Sequence, residues 1–210
     1  MNTKIKTELK AFQKFKKNFL FEQKKIEEIE GNFYCEGLPL YDTEKRLIGE
    51  CEKWINISFH NKDSLSKILS NLYPYQFEFR GFILQSLESF FQGAKFKDKN
   101  VQKLVFAYSG VQAYHLKAAS DYRWQETGLL YWQGSPFRRD STEYTDIVDE
   151  LYISAAQNPL YRQALKNAAD RPLIHSIGET DQNKTVLTRF EYEAEINALA
   201  AFLKTFDSCK

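Results

Sequence analysis

The sequence predicts a mainly α-helical domain with a few short β-strands and an N-terminal helical extension over residues 1–50. Three observations lead there: apolar residues recur at helical spacing through most long segments, alternating stretches are few and short, and the breaks fall at glycines and prolines.

Residues 5–30 read as one helix. Ile5, Leu9, Phe12 and Phe15 make an apolar stripe among lysines and glutamates, and Gly31 ends the pattern. Such a stripe suits docking on the main body, residues 51–210, or on another subunit. Residues 32–63 are mixed, punctuated by Gly37, Pro39 and Gly49, with a short strand at Trp54–Ile57–Phe59. A helix follows from Ser64 to Leu72 and ends at Tyr73–Pro74, because proline pushes the residue before it out of the α region. Phe77 to Gly81 alternates apolar and polar residues, as a strand closing at a glycine turn does. Ser86 to Phe96 returns to helical spacing.

Further helices are expected near 100–118, 142–156 and 160–169, the last two parted by Asn158–Pro159. A short strand is expected over Pro172–Ile177. Thr188-x-x-Glu191 has the form of a capping box, in which each side chain satisfies the other's free backbone N–H. It opens a final helix with Phe190, Ile196, Leu199, Leu203 and Phe206 on one side.

The chain has 210 residues, 43% of them hydrophobic and 15% aromatic, enough for a packed core with rings left over to line a pocket. A net charge of +1 excludes a protein that coats nucleic acid by bulk electrostatics. Local basic clusters remain at Lys14, Lys16 and Lys17, at Lys95, Lys97 and Lys99, and at Arg138 and Arg139. Cys35, Cys51 and Cys209 show no paired spacing, and reduced thiols in a cytoplasmic protein are the expectation. His60, His115 and His175 lie too far apart for metal-ligand spacing, so neither a metal nor a cofactor is expected. With no signal-peptide core and no apolar run of membrane length, a membrane is not expected as a partner.

The segment with chemical content is 86–96. At about 100° per residue, Gln92 sits about 40° and Lys95 about 20° from Glu88, so the three share one polar stripe. Leu87, Phe90, Phe91 and Ala94 form an apolar stripe roughly 110° around the helix, which must face the core. Glu88 and Lys95 are about 10 Å apart along the axis, too far for an i,i+4 salt bridge and far enough to leave room for a small substrate. A carboxylate suits N-glycoside cleavage because it stabilises the oxocarbenium character that develops at the sugar C1 and can deprotonate a water. A lysine can neutralise a phosphate or, deprotonated by burial, attack a ring-opened sugar as a Schiff-base amine. The bland alternative is a solvated helix face.

Leu69-Ser-Asn-Leu-Tyr-Pro74, then Phe77, Gly81 and Ser86-Leu-Glu-Ser-Phe-Phe-Gln-Gly-Ala-Lys-Phe96, resembles the NADAR (YbiA-like) family. Later pieces agree with the resemblance: Tyr131-Trp-Gln-Gly134 with Arg139 and Tyr144, Asn158-Pro-Leu160, and Leu173-Ile-His-Ser-Ile-Gly178 leading to Thr185. The resemblance spans about residues 52–205 and implies a compact, mostly helical YbiA-like domain with N-glycosidase activity. It implies Glu88 as the catalytic carboxylate and Lys95 as the second catalytic group. Asn71, Tyr73 and Gln92 would shape the sugar and phosphate pocket. Trp132, Arg139, Tyr144 and His175 would contact substrate, Arg139 by gripping phosphate and Trp132 or Tyr144 by stacking on a base.

Two substrate branches are associated with the family. One cleaves ribosylamino-pyrimidine intermediates of riboflavin biosynthesis. The other removes ADP-ribose from the amino group of guanine in DNA, and some of its members are antitoxins to a DNA ADP-ribosyltransferase toxin. The wording around Glu88 and His175 is nearer the second branch, since His175 stands where an acidic residue is expected in the first. Ala94 departs from the larger residue common at its position. A non-catalytic ADP-ribose-binding or toxin-neutralising module is the rival of a different class.

Overall fold

The computed structural model describes residues 3–62, 64–116 and 123–208. Helix α1 (Thr3–Lys16) is followed by three short strands, β1 (Ile26–Ile29), β2 (Asn32–Cys35) and β3 (Leu38–Pro39), paired in that order, and by β4 (Ile55–Asn56). Then come α2 (Ser64–Ile68), the hairpin β5 (Phe77–Phe79) and β6 (Phe82–Leu84), and three short helices, α3 (Leu87–Gly93), α4 (Lys99–Phe106) and α5 (Gly110–His115). Helix α6 (Arg123–Thr127) leads into the hairpin β7 (Leu129–Trp132) and β8 (Ser135–Arg138). Helices α7 (Thr142–Ala155) and α8 (Pro159–Ala168), strand β9 (Leu173–Ile174) and α9 (Arg189–Ser208) complete the chain, with β9 running parallel to β4. Helices dominate and the strands are short, as the periodicity predicts.

The core is built on α7 and α9. Ile147, Leu151, Tyr152 and Ala155 of α7 and Ile196, Leu199 and Leu203 of α9 are buried, and Leu87, Phe90 and Phe91 of α3 join the same cluster. Helix α1 packs on both long helices, with Phe12 wholly buried and its ring 5.5 Å from that of Phe202. Several ends follow the capping rules. Asn158 caps α8 ahead of Pro159, and Thr188 and Glu191 bond each other's backbone N–H at 2.8 and 3.2 Å to open α9. No helix among the described residues is long and apolar enough to cross a membrane.

Some boundaries differ from the periodicity. The helix expected over 5–30 stops at Lys16. Its aromatic stripe runs on only to Phe19, whose ring stacks on Phe15, and Leu20 is 95% exposed. Residues 26–35 form a hairpin instead, turning through Glu30 and Gly31, both at positive φ (50° and 76°). Two consecutive left-handed residues define the turn that matches the twist of a two-stranded ribbon. The turns at Arg80–Gly81 and Gln133–Gly134 share it. Helix α2 ends at Ile68, four residues short of the expected Leu72, because residues 70–73 close tight turns: Ser70 N–H bonds Lys67 O and Tyr73 N–H bonds Ser70 O. The helix expected over 100–118 is broken between Phe106 and Gly110, and residues 117–118 lie outside the described set, as does Cys209. Helix α6 and the β7–β8 hairpin were not expected.

Where α1 ends, the Lys16 ammonium lies between the carboxyl groups of Asp149 on α7 and Glu195 on α9. Burial, reinforced by Asp149, pushes the Glu195 carboxyl up to about 8 despite Lys16. The folded protein therefore holds a proton there that the unfolded chain releases near pH 4.5. The stability this contributes is complete below that value and lost as pH rises through about 8. Glu195→Gln should accordingly gain about 1–3 kcal/mol on wild type between pH 5 and pH 9, roughly 2–12 °C in melting temperature. Parallel melting-temperature profiles for the two proteins would show that Glu195 does not titrate in this range.

Candidate functional site

Helix α3 carries the site. The Ser86 hydroxyl oxygen accepts from Ser89 N–H at 3.1 Å and starts the helix, and the apolar stripe fixes its rotation by entering the core. Glu88, Gln92 and Lys95 are left on the other stripe and are joined there. Gln92 Nε2 donates to Glu88 Oε1 at 2.7 Å, and Lys95 Nζ donates to Gln92 Oε1 at 2.8 Å. The two neighbours decide the amide's orientation, since a carboxylate only accepts and an ammonium only donates. Gln92 and Lys95 are buried at 5% and 9% exposure, whereas Glu88 is half-buried. The gap between acid and amine is thus spanned by the Gln92 side chain rather than left open along the stripe.

Each end of this string is braced. At the acid end, Glu88 N–H donates to Asn71 O at 3.0 Å, and Tyr152 Oη donates to Asn71 Oδ1 at 2.9 Å. The early end of α2 makes this possible, because Asn71 in a turn directs its carbonyl at α3 instead of along its own helix. At the amine end, Gln102 of α4 is wholly buried, and its Nε2 donates to the carbonyls of Gly93, Phe96 and Tyr131 at 3.1, 3.2 and 2.8 Å. Its Oε1 accepts from the backbone and side chain of Gln133. Tyr131 N–H adds a bond to Ala94 O at 2.7 Å. The last carbonyls of α3 are thereby satisfied on both sides of Lys95, which fixes its backbone. The Lys95 ammonium lies 5.7 Å from the Trp124 ring centroid, within cation–π range.

The other sequence-selected residues are dispersed. Tyr73 is half-buried and stacks on Tyr75 at 6.1 Å. Trp132 packs among Phe79, Phe82, Phe90 and Phe106, stacked on the last at 5.4 Å. Phe90 is about 160° around α3 from Glu88, so Trp132 lies against the apolar side of the helix. Arg139 and Tyr144 pair with each other, the guanidinium 4.3 Å from the ring centroid. Both reach the start of α9, Arg139 through Glu191 and Tyr144 through Val186 O.

His175 donates from Nδ1 to Ile57 O at 2.7 Å and meets Tyr192 edge-on at 5.3 Å, while Tyr192 Oη bonds Leu69 O, two residues before Asn71. Burial holds the His175 imidazole below its usual 6.5, the bond to Ile57 opposing. Asn71, Glu88, Gln92 and Lys95 are the four that the fold brings into one bonded string. Gln102 and Trp124 support it and were not selected from sequence; both lie on helices other than α3, so only the tertiary fold reveals them.

Just beyond Lys95, an open cleft of about 760 Å3 is lined by Phe96, Lys97, Asp98, Lys99, Asn100, Arg123 and Gly134. Arg123 neighbours Trp124 in α6, so the cleft and the lysine end of the string share that helix.

The bacteriophage protein GP30.3 family model matches residues 64–201, which contain every residue of the site. An uncharacterized 17.1 kDa protein from the Gp30–rIII intergenic region of Enterobacteria phage T4 is 35% identical over 134 residues, covering 62% of this chain and 87% of the relative. The NMR structure of the E. coli protein YbiA aligns over 82% of this chain and 94% of its own, at 14% identity and a TM-score of 0.45.

Proposed function

Since the chain belongs to the bacteriophage GP30.3 family, a NADAR-type family, we propose that it is an N-glycosidase that releases ADP-ribose from the amino group of guanine in DNA. The observation that carries this reading is the bonded string Glu88–Gln92–Lys95, with its acid half-exposed and its amine buried. Family membership supports glycosidase chemistry in general. The choice of an ADP-ribosyl-guanine substrate rests on the motif wording around Glu88 and His175.

In this reading Glu88 faces the ribose C1. As the C1–N bond lengthens, positive charge builds on the ring, and the carboxylate stabilises it. The departing guanine nitrogen keeps the bonding pair, Glu88 takes a proton from the water that attacks C1, and that proton passes on to the nitrogen, which restores the carboxylate. Gln92 holds one carboxylate oxygen in place, and Lys95, by donating to Gln92, fixes the amide that does the holding. Lys95 acts here through position and charge. The implied partner is ADP-ribosylated DNA, and a DNA ADP-ribosyltransferase toxin is the implied source of the adduct, which gives the protein an antitoxin role.

The test is to incubate the protein with an oligonucleotide carrying ADP-ribosyl-guanine and follow adduct loss by mass. Release of free ADP-ribose with the guanine restored is the expected result, without a borohydride-trapped sugar on Lys95. An intact adduct at high enzyme concentration defeats the reading, and release of ribose 5-phosphate from ribosylamino-pyrimidine phosphates instead transfers the activity to the riboflavin-type substrate.

A further inference from the structure

We propose that the cleft beyond Lys95 is a phosphate-binding site, taking the oxyanions of a nucleotide substrate through Lys97, Lys99 and Arg123. The proposal rests on the nucleotide reading above and adds a site that the Glu88 string does not use. The cleft presents three cations and a single carboxylate among its lining residues. That carboxylate, Asp98, is turned to the start of α4, where Oδ1 accepts from the N–H groups of Asn100 and Val101 at 2.7 and 3.1 Å. Neither Lys97 nor Lys99 has a carboxylate within ion-pair distance among the described residues, and both are exposed. With one carboxylate against three cations the lining carries a net positive charge, and an anion in the cleft relieves the repulsion among those cations.

One of these lysines lies against the β7–β8 turn. Gly134, at φ 83°, closes the β7–β8 turn, and a Cβ there would sit 2.9 Å from the Lys99 Cε and 3.7 Å from the Lys97 carbonyl oxygen. The missing side chain lets the Lys99 stem lie across the turn. Gln133, the other residue of that turn, is bonded to Gln102, which also holds the end of α3. The cleft is therefore tied to the same bracket that fixes Lys95, so a phosphate gripped there has a defined position relative to Glu88. Phe96, half-buried in the lining, supplies an apolar wall beside the cations. The oxyanions have two sources of the same chemistry, the diphosphate of ADP-ribose and the diester backbone of the strand that bears it.

Binding, read without turnover, tests the site. The probes are ADP-ribose, followed by calorimetry, and a fluorescein-labelled, unmodified single-stranded oligonucleotide, followed by anisotropy across a salt series. The proteins are wild type, Lys97→Glu/Lys99→Glu, and a charge-matched control, Lys10→Glu/Lys14→Glu, whose exposed lysines lie on α1 outside the cleft.

We expect the cleft variant to weaken at least one probe by about tenfold or more, with the control unchanged. Loss confined to ADP-ribose identifies the diphosphate. Loss of oligonucleotide binding, with a salt slope shallower by about one to two units, identifies the backbone. Equal affinities in wild type and cleft variant, equal losses in both variants, or no wild-type binding of either probe overturns the site. Because none of these readouts involves bond cleavage, a protein that binds through the cleft but never hydrolyses would refute the glycosidase reading and leave this one standing.

Discussion

Glu88→Gln is expected to reduce ADP-ribose release by about a thousandfold while leaving the fold and substrate affinity near wild type. The substitution is nearly isosteric. Gln92 Nε2, which donates to Glu88 Oε1 at 2.7 Å, still finds an amide oxygen there, so the string to Lys95 survives. The Glu88 N–H bond to Asn71 O belongs to the backbone and does not change. In the proposed mechanism, what disappears is the negative charge facing C1 and the capacity to take a proton from water, both of which act in the transition state rather than in binding. The loss should therefore appear in kcat, with KM and melting temperature within about twofold and about 2 °C of wild type. Gln92→Leu makes a contrast: it leaves the carboxylate but removes one acceptor of the buried Lys95 amine, so stability as well as rate should fall, by about 1–3 kcal/mol. Wild-type turnover by Glu88→Gln would remove the carboxylate from the reacting centre.

How far the site could be read in advance follows from the range of the interactions involved. The polar stripe of α3, the capping box at Thr188 and Glu191 and the Asn158–Pro159 start of α8 are all decided within a few residues, and the sequence displays them. The break at Tyr73–Pro74 was legible too, but not that the chain leaves the helix at Ile68, which frees the Asn71 carbonyl for α3. The hairpins at Glu30–Gly31 and Gln133–Gly134 were missed because their first turn residues are not the Asn or Asp that usually signals two left-handed residues. The helix expected over 5–30 runs 14 residues past the end of α1 at Lys16, since charged residues beyond Phe19 fit a helix pattern as readily as a ribbon. Gln102 is the clearest case of information absent from local sequence. A glutamine on a short helix looks like surface, yet this one is wholly buried and bonds three carbonyls, one in α3, one in the loop after it and one in β7. Trp132, selected as a base platform, is surrounded by four rings on the apolar side of α3, a placement that depends on how the β7–β8 hairpin folds over that helix.

Gly110→Ala should be among the most damaging single-atom additions in the protein, though a helix scale predicts the opposite. Gly110 is the first residue of α5, and replacing a helical glycine by alanine ordinarily gains up to about 1 kcal/mol. Here the added Cβ would lie 2.4 Å from Leu72 O, 2.5 Å from Leu72 Cα and 2.6 Å from Leu72 C. All three are backbone atoms, so no rotamer change relieves the contact, and either α5 or the 70–73 turn must move. Overpacking of this kind costs about 1–3 kcal/mol against flexible neighbours and more against a fixed main chain, which outweighs the propensity gain. A net loss of about 2 kcal/mol, roughly 4–8 °C in melting temperature, is expected.

The consequence for activity is larger than the one for stability. Leu72 follows Asn71, whose carbonyl receives the Glu88 N–H and whose amide oxygen receives Tyr152, so a displaced turn shifts the support under the acid. A misplacement of about 1 Å near a reacting group costs on the order of a hundredfold in rate. Gly110→Ala, assayed well below its melting temperature, should thus lose at least about tenfold in kcat. Gly31→Ala, which meets nothing within 4 Å but strains a φ of 76°, should lose stability without losing rate. Equal rates in wild type and Gly110→Ala would mean that the Asn71 turn does not govern the position of Glu88, and the bracing described at the acid end of the string would have no part in catalysis.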